Sequence, residues 1–172
     1  MKQLVYLGLA VLLAILCVAA FLLRHDGGIN LDSLVYARNA ALLPGVPDNI
    51  FPIGYPAFLR LFHSLTEDFF WAGKAINLAC LLVIFAFSYF CRFFFFETVL
   101  LFCTKVGMGL FAYTFSEPLF ITVLYFQTYL VYTFFRSHPA GVTHQAAIVL
   151  LGLALLLVRH TGVFVVAGMG AF

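Results

Sequence analysis

Long apolar runs constrain this chain more than any other feature of its sequence. Several of them exceed the roughly 18 apolar residues that mark a transmembrane helix. Only 9% of the 172 residues are charged, whereas a soluble domain carries about 25%. The runs therefore exclude a soluble domain, and the net charge of +2 is too small to indicate a nucleic-acid-binding protein.

The apolar runs predict an all-α fold, a single polytopic bundle of about five transmembrane helices. The predicted spans cover residues 4–23, 69–90, 93–113, 117–135 and 146–168. The first run could instead be a signal peptide, although it is longer than the usual apolar core of about 7–15 residues. Arg159-His160-Thr161-Gly162 interrupts the last run.

The outer loop over residues 24–68 is the one sizeable polar region. Asn30 or Asp32 could cap a helix over residues 33–43, which Pro44-Gly45 would end. A second helical segment is predicted over residues 55–65. At about 100° per residue, Asp32, Tyr36 and Asn39 share one arc of the first helix. This pattern predicts a helix lying at the membrane interface, with its polar arc turned towards water.

The basic residues do not by number decide the orientation of the chain. Lys2, Arg92 and Arg136 fall on one side of five spans, and three arginines fall in the outer loop. The positive-inside rule counts short loops most heavily, and Arg92 and Arg136 lie in tight turns. We therefore expect an inner amino terminus and an outer or lumenal loop over residues 24–68.

This orientation gathers charged residues near the outer face. They are Asp32, Arg38, Lys74, Glu117 and Arg159. An ionised side chain inside a membrane costs roughly 2.5–3.5 kcal/mol, so such residues often mark a site. Simpler roles remain open: Asp32 as a helix cap, Ser116-Glu117-Pro118 as a helix start, and Lys74 and Arg159 as side chains that reach the headgroups.

Four short motifs, in their order along the chain, resemble the amino-terminal part of GT-C-type membrane glycosyltransferases. Within that superfamily the chain is most similar to the protein O-mannosyltransferase and aminoarabinose-transferase branch. The matching residues are Asp32, Tyr36 and Ala37; Pro52, Gly54, Tyr55 and Pro56; Ser116 to Phe120; and Arg159 with Gly162. Many relatives have a second acid directly after the first, and here that position is Ser33.

The resemblance implies an integral membrane enzyme of the cell membrane or, in a eukaryote, the endoplasmic reticulum. Such an enzyme moves a sugar from a polyprenyl-phosphate carrier to an acceptor (protein, lipid or glycan) outside the cytosol. Asp32 would be the general base on the acceptor hydroxyl. Substrate-binding residues would be Tyr36, Arg38, Tyr55, Lys74, Glu117 and Arg159. No cofactor is implied, and no residues have metal-ligand spacing.

Relatives in this superfamily have about twice as many spans. We therefore expect this chain to be a fragment, a truncated reading frame or a split subunit, and we expect the 172 residues alone to be inactive. The competing interpretation is a non-catalytic membrane scaffold or lipid-binding subunit, in which the polar loop only packs at the interface. A transporter fragment has less support, because paired broken-helix signals are lacking.

Overall fold

Helices account for all the regular secondary structure that this computed structural model describes, which covers residues 5–9, 11–12, 15–16, 29–45, 51–102, 104–136 and 141–170. The helices from residue 31 onwards are α1 (Leu31–Leu42), α2 (Gly54–Thr66), α3 (Phe69–Phe90), α4 (Phe95–Phe102), α5 (Lys105–Ala112), α6 (Glu117–Arg136), α7 (Val142–Val158) and α8 (Gly162–Gly170). The described residues before position 17 are helical too, and the rest of the predicted first span lies outside the described residues.

In the part of the chain that the structure describes, α3 and α6 are each long and apolar enough to cross a membrane. Helix α3 begins where the Asp68 carboxylate accepts a hydrogen bond from the Phe70 amide at 2.8 Å. It has 22 residues and so measures about 33 Å at 1.5 Å per residue, enough for a hydrocarbon core of about 30 Å. Helix α6 has 20 residues. The spans predicted over residues 69–90 and 117–135 therefore correspond to observed helices.

The span predicted over residues 93–113 is divided into α4 and α5, which are bent by 74° at their junction. Thr104 starts the second helix, since its hydroxyl accepts from the Gly107 amide at 3.1 Å. The carbonyl of Phe93 accepts from the Tyr125 hydroxyl near the end of α3. The carbonyl of Ala112 accepts from Lys74 near the start of α3. The pair therefore connects opposite ends of the bundle, as a broken third span would.

The span predicted over residues 146–168 is also divided, into α7 and α8. A Cβ at Gly162 would lie 2.6 Å from the Leu155 carbonyl, and a Cβ at Gly152 would lie 3.4 Å from Val166. Helix α8 therefore folds back along α7 in a hairpin with residues 159–161 at its tip. The polar Arg159-His160-Thr161 sequence and the close approach that Gly162 permits explain the reversal. A five-span count is thus not confirmed in the described residues.

The loop helix α2 packs against α3 at the end of the bundle where α3 begins, and α1 packs against α2. Ala40 of α1, Tyr55 and Leu59 of α2, and Ile76 of α3 belong to one buried cluster. Helix α2 ends at Glu67, whose left-handed φ of 58° turns the chain directly into α3. This arrangement places both loop helices beside the residues that precede α6 and follow α7.

Candidate active site

Asp32 lies in the first turn of α1 but does not cap the helix. The cap is Asn30, whose side-chain oxygen accepts from the Ser33 amide at 2.9 Å. The Ser33 hydroxyl in turn accepts from the Asn30 amide at 3.2 Å, which completes a capping box. Asp32 is exposed, and among the described residues no hydrogen bond or ion pair engages its carboxylate. Of the two candidates, only Asn30 is therefore the cap.

The polar arc of α1 faces the protein, in contrast to the predicted outward orientation. Tyr36 is 7% exposed and Asn39 is 1% exposed, whereas Leu31 is 81% exposed. The Ser33 hydroxyl donates to the Thr114 carbonyl at 2.7 Å. Burial of the arc is possible because partners satisfy its polar groups. Of the three arc residues, only Asp32 remains at the surface.

Ser33 directly follows Asp32, at a position that does not suit a second acid. The residue is buried, and its hydroxyl lies within hydrogen-bonding distance of two acceptor oxygens, the Thr114 carbonyl at 2.7 Å and Asn30 Oδ1 at 2.9 Å. A carboxylate there would face another acceptor and lose water, which is unfavourable. Serine is therefore the residue that fits this docking geometry.

Tyr36 joins α1 to the segment that leads into α6. Its hydroxyl and the Ser116 hydroxyl share a hydrogen bond of 3.1 Å. Burial is the main effect on the pKa of Tyr36 and raises it, and the hydrogen bond with Ser116 lowers it. The negative charges of Glu117 and Asp32 also raise this pKa, and the positive charge of Arg159 lowers it. The Tyr36 hydroxyl is therefore a neutral group within electrostatic range of Glu117, Arg159 and Asp32. These three residues come from three separate parts of the chain.

Glu117 and Arg159 form an ion pair between the start of α6 and the end of α7. The Arg159 Nη1 and Glu117 Oε1 atoms are 2.5 Å apart, with side chains 36% and 26% exposed respectively. A guanidinium has five N–H donors, so one contact with Glu117 leaves further donors at the surface. Arg159 is thus able to bind an anion while Glu117 fixes its position.

Tyr55 lies beneath Tyr36 rather than at the surface. The two rings meet edge to face, with centroids 5.0 Å apart. Tyr55 is fully buried, and no described residue hydrogen-bonds its hydroxyl. Burial raises the pKa of Tyr55 far above its ordinary value of 10.0. In this conformation the residue supports Tyr36 and has no surface at which a ligand would touch it.

Lys74 and Asn77 of α3 hold the end of α5. The Lys74 ammonium donates to the Ala112 carbonyl at 2.8 Å, and the Asn77 amide donates to the Phe111 carbonyl at 2.9 Å. Both side chains are buried. These bonds satisfy carbonyls that a helix end leaves without an intrahelical partner. Lys74 thus fixes the chain that leads to Thr114 and Ser116.

Arg38 is exposed on α1. It lies six positions after Asp32, an offset of about 240° around the helix. The two charged side chains therefore leave the helix in different directions. Asp32, Glu117 and Arg159 all lie within electrostatic range of the Tyr36 hydroxyl, and Tyr55 packs against the Tyr36 ring. Lys74 instead bonds the end of α5, and Arg38 leaves α1 in another direction.

Sequence reasoning missed Thr114 and Ser116 as the groups on which α1 docks. Ser116 was noted only as part of the Ser-Glu-Pro helix start, and nothing local marks the Thr114 carbonyl as an acceptor. In the described part of the chain, no three His, Cys, Asp or Glu residues lie together as metal ligands would.

Comparisons with known proteins identify no relative: no family model, curated protein or solved structure matches the chain.

Proposed function

We propose that this protein is a membrane glycosyltransferase of the GT-C type, similar to the protein O-mannosyltransferase and aminoarabinose-transferase branch. It transfers a sugar from a polyprenyl-phosphate carrier to an acceptor hydroxyl or amine on the outer or lumenal face. Asp32 is the general base of the reaction. Its membrane is the cell membrane or, in a eukaryote, that of the endoplasmic reticulum.

One observation supports this proposal above the others. A surface carboxylate with no described partner, Asp32, lies at the same end of the bundle as the partly exposed Glu117–Arg159 pair. Tyr36 links Asp32 to this ion pair. Its hydroxyl hydrogen-bonds Ser116, the residue before Glu117, and all three charges influence its pKa. Since Asn30 already caps α1, the cap does not require the acid at position 32.

The chemistry assigns a role to each charged group. Asp32 takes the proton of the acceptor as the acceptor atom bonds to the anomeric carbon, and the bond between that carbon and the carrier phosphate breaks. The departing lipid phosphate carries the negative charge that develops. Arg159 stabilises this charge with the donors that Glu117 does not use. Glu117 and Tyr36 are positioning residues.

The test measures sugar transfer in membranes from cells that express the protein from its natural chromosomal locus, so that any further spans or subunits are present. Radiolabelled polyprenyl-phosphate mannose and its aminoarabinose counterpart are the donors. We expect deletion of the gene to abolish transfer from one of them. We expect Asp32→Asn to lower transfer by about 10²–10⁴-fold at an unchanged protein level.

Asn30→Ala is the matched control. It removes the cap two residues away and costs about 1 kcal/mol of stability, but it leaves the carboxylate in place. Near-normal transfer by Asp32→Asn, with a loss in Asn30→Ala, would favour the scaffold interpretation. A deletion strain with full transfer from both donors would contradict the proposed function.

A further inference from the structure

A pocket lies at the end of the bundle opposite to the Asp32 site, where α3 ends. It has a volume of about 430 Å³ and is lined by Tyr6, Tyr89, Phe90, Arg92 and Phe95. Ring contacts join its aromatic walls: the Tyr89 and Phe95 centroids are 5.5 Å apart, and those of Tyr6 and Phe95 are 6.4 Å apart. The volume lies within the roughly 300–1,000 Å³ of small-molecule sites. None of these residues belongs to the Asp32 site.

Among the residues that the structure describes, Arg92 is the one charged residue that lines this pocket. Within the described part of the chain, its guanidinium makes no hydrogen bond, ion pair or ring contact. Arg136, in the other tight turn predicted on this side, is different. Its Nη1 donates to the Tyr132 hydroxyl at 2.7 Å, and its guanidinium lies 5.9 Å from the Tyr132 ring centroid. Of these two arginines, only Arg92 offers all its donors to a pocket.

The backbone at Arg92 supports a role for the side chain. The Phe93 amide donates to the Ser88 carbonyl at 3.0 Å, and the Arg92 amide donates to the Tyr89 carbonyl at 3.3 Å. This pattern is a Schellman helix end with Arg92 at the left-handed position, at a φ of 51°. Glycine is the usual residue there. A larger residue at a left-handed position is strained, and such strain is often found at ligand-binding sites.

The turn at Arg92 is held firmly by its neighbours. The Ser88 hydroxyl donates to the Phe93 carbonyl at 2.8 Å, and the Tyr125 hydroxyl donates to the same carbonyl at 2.8 Å. These two bonds anchor the residue after Arg92 to α3 and α6. The guanidinium is therefore presented from a fixed backbone rather than from a loose loop.

We propose that this pocket binds the phosphate of an anionic membrane phospholipid. Arg92 supplies charge-assisted hydrogen bonds to the phosphate, and the tyrosines line the headgroup region as interfacial tyrosines do. Phe90 is 79% exposed and, with Phe95, offers an apolar wall for the acyl chains. A lipid is favoured over a free phosphate because the pocket joins one cation to this aromatic surface.

The test is a lipid titration of the purified protein followed by native mass spectrometry, with phosphatidylglycerol and phosphatidylcholine as probes. The wild-type protein should prefer phosphatidylglycerol. Arg92→Gln should weaken phosphatidylglycerol binding by about tenfold, the effect of about 1.4 kcal/mol. Arg136→Gln, which removes the same charge from the same end of the bundle, should stay within about twofold of wild type.

Arg92→Gly separates ligand binding from folding. Glycine adopts the left-handed φ freely, so this variant should fold at least as well as wild type and still lose the same tenfold in lipid binding. Equal losses in the Arg92→Gln and Arg136→Gln variants would overturn the proposal, because they would indicate general surface charge. Retained preference in Arg92→Gly would also overturn it. Displacement of the lipid by millimolar inorganic phosphate would refute the assignment of a lipid as the ligand.

Discussion

Gly54 links the packing of the loop helices to the position of Arg159. A Cβ at this position would lie 2.6 Å from the Leu157 carbonyl oxygen and 3.0 Å from the Val158 nitrogen, and both neighbours are backbone atoms. An ordinary contact begins at 3.4 Å, so Gly54→Ala must separate α2 from α7 by about 0.8 Å, the difference between these two distances. Overpacking of this kind costs about 1–3 kcal/mol.

The displacement acts on the site because Arg159 directly follows Val158. At about 2–4 °C per kcal/mol for a chain of this length, Gly54→Ala should lower the thermal unfolding midpoint in detergent by about 2–12 °C. Gly109→Ala is the matched control, since a Cβ there meets no atom within 4 Å. A helical Gly→Ala change at such a position should raise stability by about 0.5–1 kcal/mol. Equal midpoints for the two variants would refute the close approach of α2 and α7.

Three further predictions concern the site and the orientation. Tyr36→Phe should lower the unfolding free energy by about 0.5–1.5 kcal/mol. Because burial raises the pKa of Tyr36 above 10.0, the unfolding free energy of the wild type should fall as the pH rises above that value. The variant should show a smaller fall. A double-mutant cycle of Glu117→Gln and Arg159→Gln should give a coupling of about 0.2–1 kcal/mol in unfolding experiments, because both side chains are partly exposed. In a background without the native cysteines, a single cysteine at Ser64 should react with an impermeant maleimide in intact cells, whereas one at Thr143 should react only after the cells are permeabilised. Labelling of both in intact cells would contradict the orientation.

Local signals in the sequence predicted the loop helices and two spans. Helix α1 was expected over residues 33–43 with a cap at Asn30 or Asp32, and it begins at Leu31 after Asn30. The second segment, expected over residues 55–65, corresponds to Gly54–Thr66. Caps, proline positions and apolar length are local properties, so they can be read without knowledge of the tertiary structure.

The breaks in the other two predicted spans depend on packing that apolar content does not reveal. Hydropathy measures apolar content and does not detect a helix cap inside an apolar run, such as Thr104 before α5. The hairpin of α7 and α8 requires Gly162 to meet the backbone of Leu155, a contact between segments. An interruption by polar residues was visible at Arg159, but its geometry was not.

The sequence placed Asp32, Glu117 and Arg159 at one end of the bundle but could not assign their partners. Predicted depth alone does not select which of the nearby cations pairs with Glu117. The choice of Arg159 depends on where α7 ends, and the buried position of Lys74 depends on the end of α5 that it holds. The inward orientation of Tyr36 depends likewise on Ser116, which is distant in sequence.

The steady-state kinetics of the Asp32→Asn enzyme test the central proposal most directly. In membranes that contain the full natural complex, we expect the variant to lower kcat for sugar transfer by about 10²–10⁴-fold. The KM for the polyprenyl-phosphate donor should stay near the wild-type value, because a general base acts on the acceptor. Near-normal kcat in Asp32→Asn, or an effect confined to KM, would contradict the assignment of Asp32 as the general base.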